Sequence, residues 1–375
     1  MENKICVYAI CKNEMKFVQK WLDSMSEADY IVVLDTGSTD GTYEFLQNDS
    51  RVTIVKQKIY KTFRFDVARN DSMKLVPKDA NILVCTDFDE LFEPGWVNVI
   101  RQYWTEDTWR GHYTYVWSHK PNGNPGDIFW YDKFHNRKYK WVYPVHEVLL
   151  PENGIEGLNE EKNGHLIDFG NSIVLHHYPD NTVSRKFYFD LLKLRIKEFP
   201  NDAYSHFLLG REYGVNEDYV NAVKYFESAL ATEEIKDRPL VEYCALGYLA
   251  DIFKVNYDYP NAIFYYMKQI VKDSSYREPY INIAEIYCSL GLYKIAEQFI
   301  IQGLTQTHKH YDWTERAAEW NEKPYDLLSI IYLNTNEYQK GLENALKALQ
   351  IVPMDERIQR NYLILLQKLN EQSCC

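Results

Sequence analysis

The sequence predicts an α/β domain built on a mostly parallel sheet, followed by an all-α domain of tandem helical hairpins. Two observations carry that expectation. In the first half, short apolar runs alternate with helix-forming stretches, the pattern of strands linked by crossover helices. After Pro179 the composition shifts to helix formers, and small and aromatic residues return at intervals that suit paired helices.

The chain opens with Lys4-Ile5-Cys6-Val7-Tyr8-Ala9-Ile10, a continuous apolar run that reads as a strand buried on both faces. Cys11-Lys12-Asn13-Glu14 leads into a helix reaching about Met25. The second strand, Tyr30 to Leu34, stops at Asp35. Thr36-Gly37-Ser38-Thr39-Asp40-Gly41-Thr42 then forms a turn rich in Gly, Ser and Asp, and a helix follows. A third strand at about Val52 to Val55 and a helix from Phe65 to Leu75 lead to the fourth strand, Asn81-Ile82-Leu83-Val84. In parallel sheets of this kind ligands bind at the carboxyl ends of strands. Asn13, Asp35 and the run Asp87 to Glu90 all fall there.

The stretch Cys85-Thr86-Asp87-Phe88-Asp89-Glu90 closes that fourth strand with three carboxylates. Residues i and i+2 of an extended chain share a face. Read as extended, Asp87 and Asp89 converge on one hard divalent cation, with positions left for water and diphosphate oxygens. Beyond Pro94-Gly95-Trp96, a helix start, aromatic strands are expected at Tyr113 to Trp117 and Ile128 to Tyr131. A further strand is expected over Lys138 to Glu147, ending in two titratable groups. Val174-Leu175-His176-His177-Tyr178 ends the first half, and a neutral imidazole is a reasonable additional ligand for a manganese-like cation.

In this order the motifs resemble the inverting nucleotide-sugar glycosyltransferases of family 2, which have the GT-A fold. The resemblance rests on Ile10-Cys11-Lys12-Asn13-Glu14, on Asp35 through Thr42, on Ala68-Arg69-Asn70, on Thr86 through Glu90 and on Pro144-Val145-His146-Glu147, and covers about residues 1 to 178. It implies a nucleotide-sugar donor, most simply a UDP-sugar, and a divalent metal, Mn2+ or Mg2+. It places Asn13 and Asp35 near the nucleotide, turns Asp66 and Arg69 toward it, gives Asp89 to the metal and sets Asp87 against ribose or metal. In related enzymes a histidine at the position of His176 or His177 contacts the metal or the diphosphate, and His177 fits better. An inverting transfer needs a base for the acceptor proton. Glu147 is the candidate and His146 its competitor, whereas other family members use an Asp on a later helix.

After a joining helix at Val183 to Phe199 comes the internal repeat. Gly210, Tyr213, Ala222, Phe226 and Ala229 occupy the small and large positions of a tetratricopeptide-type hairpin. The frame recurs at Ala250, Phe253, Ala262 and Tyr266, at Ala284, Tyr287, Ala296 and Ile300, and at Tyr332, Gly341, Ala345, Ala348 and Pro353. The interval from Ala262 to Ala296 has the usual period of about 34, and the intervals on either side carry insertions. A last helix, about Asp355 to Leu369, would cap the stack. The expected division is a catalytic domain over 1–178, a linker helix over 179–200 and repeats over 201–375.

At 375 residues the chain has room for two domains, each with its own core. A net charge of -12 argues against a nucleic-acid partner and makes a metal more necessary for an anionic donor. No spanning segment or signal peptide is expected, since the run Ile5 to Ile10 is too short. Seven cysteines without metal spacing, Cys374 and Cys375 among them, predict a reducing cytoplasm. With 31 tyrosines, more than packing requires, some are expected at a sugar site or a protein surface. Tyr257, Tyr259, Tyr265 and Tyr276 are expected to mark an interface for homodimerisation or acceptor docking. The reading is a glycosyltransferase acting on a peptide, protein or glycan acceptor. Its rival is a non-catalytic repeat adaptor with a degenerate sugar-nucleotide domain, against which intact Arg69, Asp87 and Asp89 speak.

Overall fold

The structure is a computed structural model that describes residues 3–119, 123–152, 165–180, 186–309 and 316–373, so the expectation for Cys374 and Cys375 lies outside the described residues. The chain divides into two compact units, Met1–Arg195 and Ile196–Cys375.

The first unit alternates as β1 (Ile5–Cys11), α1 (Val18–Met25), β2 (Tyr30–Asp35), α2 (Thr42–Asn48), β3 (Ile54–Gln57), α3 (Phe65–Met73) and β4 (Ile82–Cys85). β5 (Glu90–Phe92), α4 (Trp96–Tyr103), β6 (Arg110–Val116), β7 (Ile128–His135), β8 (Tyr139–Val142) and β9 (Val148–Pro151) follow, then β10 (Leu166–Asp168) and β11 (Val174–His177). The main sheet runs β3-β2-β1-β4-β7-β6-β11-β5, with β10 beside β6. β3, β2, β1 and β4 pair in parallel, and β7 enters antiparallel to both β4 and β6. The sheet is therefore mixed, with a parallel half that bears the strand ends named above.

β1 explains why the run at Ile5 has no polar alternation. Ile5, Val7, Ala9 and Cys11 face one core with Trp21, Leu22 and Trp96, while Cys6 and Tyr8 face a second core with Tyr139 and Trp141. Within that second core a hydrogen-bond chain is complete. Trp141 Nε1 donates to the Tyr8 hydroxyl at 2.7 Å, and the hydroxyl lies 2.7 Å from His135 Nε2. His135 Nδ1 is 2.7 Å from the carbonyl of Asn136. An imidazole donating from Nδ1 and accepting at Nε2 is neutral, and burial drives its pKa down to about 3.

This fixes the sign of a pH effect. The neutral form is favoured by folding, so its stability is fully present above pH 6.5 and is lost progressively as pH falls toward 3. Between pH 7 and 4.5 His135 should remove on the order of 2–3 kcal/mol. Unfolding transitions at the two pH values should therefore lie further apart in the native chain than in His135→Gln, and equal separations would refute it.

Local geometry departs from the sequence expectation in four places. The first helix begins only at Val18, because Asn13 takes a left-handed φ of 61° and the chain turns before it coils. The third strand lies slightly later than expected, at Ile54–Gln57. Lys138 to Glu147 is not one strand: Tyr143 and His146 have φ of 82° and 47°, which breaks the extended chain into β8, a turn and β9. Asp87 to Glu90 is a tight turn, with the Glu90 amide donating to the Asp87 carbonyl at 3.1 Å, so Asp87 and Asp89 do not sit on an extended face.

α5 (Lys186–Glu198) spans the unit boundary. The second unit stacks α6 (Ala203–Val215) with α7 (Tyr219–Ala231), and α8 (Pro239–Val255) with α9 (Tyr259–Lys272). α10 (Glu278–Ser289) then pairs with α11 (Tyr293–Leu304). After α12 (Ala317–Trp320) come α13 (Lys323–Asn334), α14 (Tyr338–Ile351) and the closing α15 (Glu356–Ser373). The two insertions are visible: a 3₁₀ segment at Glu233–Asp237 precedes α8, and α12 precedes α13.

Ala222, Ala262 and Ala296 are fully buried within the helical hairpins, as the repeat frame predicts for its small positions. A Cβ on Gly210 would stand 2.9 Å from the Phe226 ring. Gly210→Ala gains about 1 kcal/mol of helix propensity but overpacks a rigid ring at about 1–3 kcal/mol. A net loss near 1 kcal/mol is expected in denaturant unfolding, and a more stable variant would contradict the packing. The tyrosines expected at an interface divide: Tyr276 is buried against Tyr243 at 4.2 Å between centroids, Tyr265 is half-buried and stacks on Phe253, and Tyr259 is half-buried edge-on to Tyr257, which is itself 79% exposed. Contacts with neighbouring rings cover much of the first three and leave Tyr257 the most exposed.

Candidate active site

The rim of the parallel half of the sheet is held from inside. Phe88, in the acidic turn, stacks on the buried Trp21 at 4.2 Å, and Trp21 Nε1 donates to Thr86 Oγ1 at 3.0 Å. The apolar residue between the two aspartates is thereby the anchor that fixes where their carboxylates stand.

Asp35 ends β2 with no exposed surface. Its Oδ1 accepts from the amides of Gly37 and Ser38 and from Gln57 Nε2, each at 2.9 Å. Burial pulls its pKa up, but these donors outweigh it and hold the carboxyl below its ordinary range. The left-handed Asn13 binds the neighbouring loop: its amide donates to Ser38 Oγ at 2.8 Å, and its Oδ1 accepts from the Thr39 amide at 2.7 Å. Asn13 and Asp35 therefore hold the same loop, Gly37 to Thr39, at the ends of β1 and β2.

Arg69, on α3 and buried, gathers three groups. Its Nη2 reaches Asp87 Oδ1 at 2.8 Å, its Nη1 lies 3.1 Å from Cys85 Sγ, and its Nε donates to Glu147 Oε1. The next residue, Asn70, clamps β8 by exchanging two hydrogen bonds with the Trp141 backbone at 2.8 and 2.9 Å. This is why Arg-Asn stands as a pair: one side chain organises the charges and the other fixes the strand that delivers Glu147. Asp66, one turn earlier, is paired with Arg64 at 2.9 Å.

Lys133, which the sequence motifs do not include, and Glu90, the third carboxylate of the acidic run, complete the cluster. Lys133 of β7 is buried, with Nζ 3.0 Å from Asp87 Oδ2 and 3.1 Å from Glu90 Oε1. Glu90 also accepts from the Asp87 amide at 2.9 Å and the Tyr115 hydroxyl at 3.0 Å. Burial acts to raise the Asp87 pKa, yet the Arg69 and Lys133 cations hold it well below the usual carboxylate range. Burial raises that of Glu90 in spite of Lys133. A signal was present for Lys133: one lysine in a mostly aromatic strand, when buried, must find anions inside. Glu14 has no such cation among the described residues, and burial followed by repulsion from Asp89 and Asp87 pushes its pKa up to about 8.

Asp89 points elsewhere. Its Oδ2 lies 3.3 Å from His177 Nε2, and its carbonyl accepts from the Tyr178 amide at 2.8 Å. His177 Nδ1 is anchored on the Trp117 carbonyl at 3.1 Å, with the Trp117 ring stacked at 4.5 Å. Burial lowers the His177 pKa, but Asp89 more than reverses this. His176 faces the other side of the strand, toward His119 and Glu93, each at 3.0 Å. Of the adjacent histidines it is His177 that meets Asp89. The His146 ring stands by Tyr188, at 5.9 Å between centroids, while Glu147 lies in the Arg69 cluster.

Among the described residues no three His, Cys, Asp or Glu side chains are gathered as a ready metal cage. Asp89 and His177 nevertheless suit a divalent cation of the Mn2+ kind. One hard oxygen and one imidazole nitrogen face each other, and the second imidazole nitrogen is fixed by a backbone carbonyl, the usual outer-shell support of a ligating histidine.

Residues 6–149 match the model of the family described as glycosyl transferase family 2. Among solved structures, the chain is similar to the OM64 TPR domain of Arabidopsis, at 14% identity over 34% of this chain and 96% of that one, with a TM-score of 0.30. It is similar to the first TPR domain of human RPAP3 at 14% identity, over 35% and 94% of the two chains, with a TM-score of 0.31. A tetratricopeptide repeat protein from Parabacteroides merdae matches at 14% identity over 49% and 67%, with a TM-score of 0.39. No curated protein matches the chain.

Proposed function

We propose that the chain, whose residues 6–149 match the glycosyl transferase family 2 model and are followed by helical repeats of the tetratricopeptide type, is a metal-dependent inverting glycosyltransferase. Its donor is a nucleotide sugar, a UDP-sugar in the simplest case, and its acceptor is a peptide, protein or glycan. The observation that carries this reading is the convergence at one sheet rim of Asp35, Arg69, Asp87 and Glu147, with Asp89 and His177 alongside.

Each residue has a task that its surroundings suit. Asp35 and Asn13 form the wall for the base and ribose, and Arg69 and Asp66 face the nucleotide. A divalent cation held by Asp89 and His177, beside Asp87, would neutralise charge on the departing diphosphate. Glu147, oriented by Arg69, takes the acceptor proton as the acceptor atom bonds to the anomeric carbon and the bond to the diphosphate oxygen breaks. His146 is the alternative base.

The repeats would hold the acceptor, since stacked hairpins offer an extended surface for peptides, and the same unit would make a homodimer. Cys6, Cys11, Cys85 and Cys288 carry no disulfide, and no helix among the described residues is long and apolar enough to cross a membrane. The free thiols support the cytoplasmic placement we propose for it. The test is release of nucleoside diphosphate from a panel of nucleotide sugars by the full chain with Mn2+. Turnover of one donor is expected. Silence with every donor would leave the non-catalytic adaptor as the better reading.

A further inference from the structure

Lys133 is an unusual residue to bury. Its side chain is 6% exposed, and its ammonium lies 4.8 Å from the centre of the Tyr131 ring. Such a charge stays in an interior only when carboxylates surround it. Two do: Asp87 Oδ2 at 3.0 Å, and Glu90 with Oε1 at 3.1 Å and Oε2 at 3.3 Å. Arg69 Nη2 adds contacts of 2.8 and 3.2 Å to the two oxygens of the same Asp87. Both oxygens of Asp87 thus carry a buried cation at the back, while 37% of that side chain remains exposed in front. Asp89 has no Lys or Arg ion pair among the described residues. Its partner is His177, itself a ligand type.

A divalent cation drawn to Asp87 would meet the Lys133 ammonium across one carboxylate, and like charges at that range repel. At Asp89 it would face no lysine or arginine ion pair among the described residues, only the His177 imidazole, itself a ligand type. We propose that Lys133 is a resident counter-cation that, with Arg69, withdraws Asp87 from metal binding, so that the divalent cation is held by Asp89 and His177 and Asp87 is left as a fixed acceptor for a donor hydroxyl. Lys133 is in these terms a positioning residue. The inference rests on the reading of Asp89 and His177 as the metal's holders.

The test is Mn2+ binding, without nucleotide, followed by electron paramagnetic resonance of the free ion on the full chain, with thermal unfolding run on each variant. Asp89→Asn should weaken binding at least about 100-fold, and Asp87→Asn less than about tenfold. Lys133→Met should bind Mn2+ about tenfold more tightly, because a like charge leaves and Asp87 becomes available. A residue that merely holds the fold together would weaken binding when removed. Adding Asp87→Asn to Lys133→Met should bring the affinity back toward that of the native chain.

If Lys133→Met does not fold, Lys133→Arg keeps the charge and should keep the native affinity, and Asp87→Asn then decides alone. Loss of binding in Asp87→Asn equal to that in Asp89→Asn, or a folded Lys133→Met that binds no more tightly, overturns the inference while leaving the metal reading in place. A native chain that binds no Mn2+ overturns both.

Discussion

Asp89→Asn is expected to abolish sugar transfer, by about three orders of magnitude or more, while the protein keeps its native unfolding temperature. The size of the effect follows from the chemistry assigned to the site. A metal ion on a departing diphosphate contributes several kcal/mol at the transition state, and each 1.36 kcal/mol is tenfold in rate. The intact fold follows from the surroundings. Phe88 and Trp21 anchor the turn, and the Asp89 backbone rather than its side chain bonds to Tyr178. Among the described residues the side chain's only ion pair is with His177, at 3.3 Å. An amide of the same size can still accept there but has lost the charge. Steady-state turnover and a melting curve on one preparation check both halves, and full activity in Mn2+ would remove the central role of Asp89.

Glu147→Gln should lower kcat by about two orders of magnitude, within the range for loss of a general base, with little change in donor affinity. Glu147 is delivered to the cluster by the turn between β8 and β9, and Arg69 Nε fixes one of its oxygens, leaving the other for the acceptor proton. The glutamine keeps the shape and a hydrogen-bond acceptor for Arg69 but cannot take a proton. His146→Ala should do less harm, because its ring stands by Tyr188 rather than in the cluster. Should His146→Ala prove far more damaging to kcat, the two residues exchange roles.

Much of the architecture was legible because local chemistry and burial agree. β1 and β2 read as unbroken apolar runs since they are buried on both faces, and the repeat frame shows because its small positions Ala222, Ala262 and Ala296 all lie in the buried helix faces. What the sequence did not disclose depends on backbone that no pattern marks. Left-handed Tyr143 and His146 split a predicted strand, and the turn over Asp87 to Glu90 sends two aspartates to different partners. Lys133 lies 46 residues from Asp87 in the chain, and only the antiparallel entry of β7 beside β4 brings them together. Likewise Glu93 and His119 claim His176, which leaves His177 for Asp89, a choice that side-by-side histidines on a strand cannot reveal before the register is known.

The measurement that bears most directly on the account is a calorimetric titration of UDP into the full chain at fixed Mn2+, repeated after chelation and with Asp89→Asn. The account predicts saturable UDP binding that needs Mn2+ and is lost or severely weakened in the variant. UDP binding that is indifferent to chelation and to Asp89, or no UDP binding to the native chain, would contradict it.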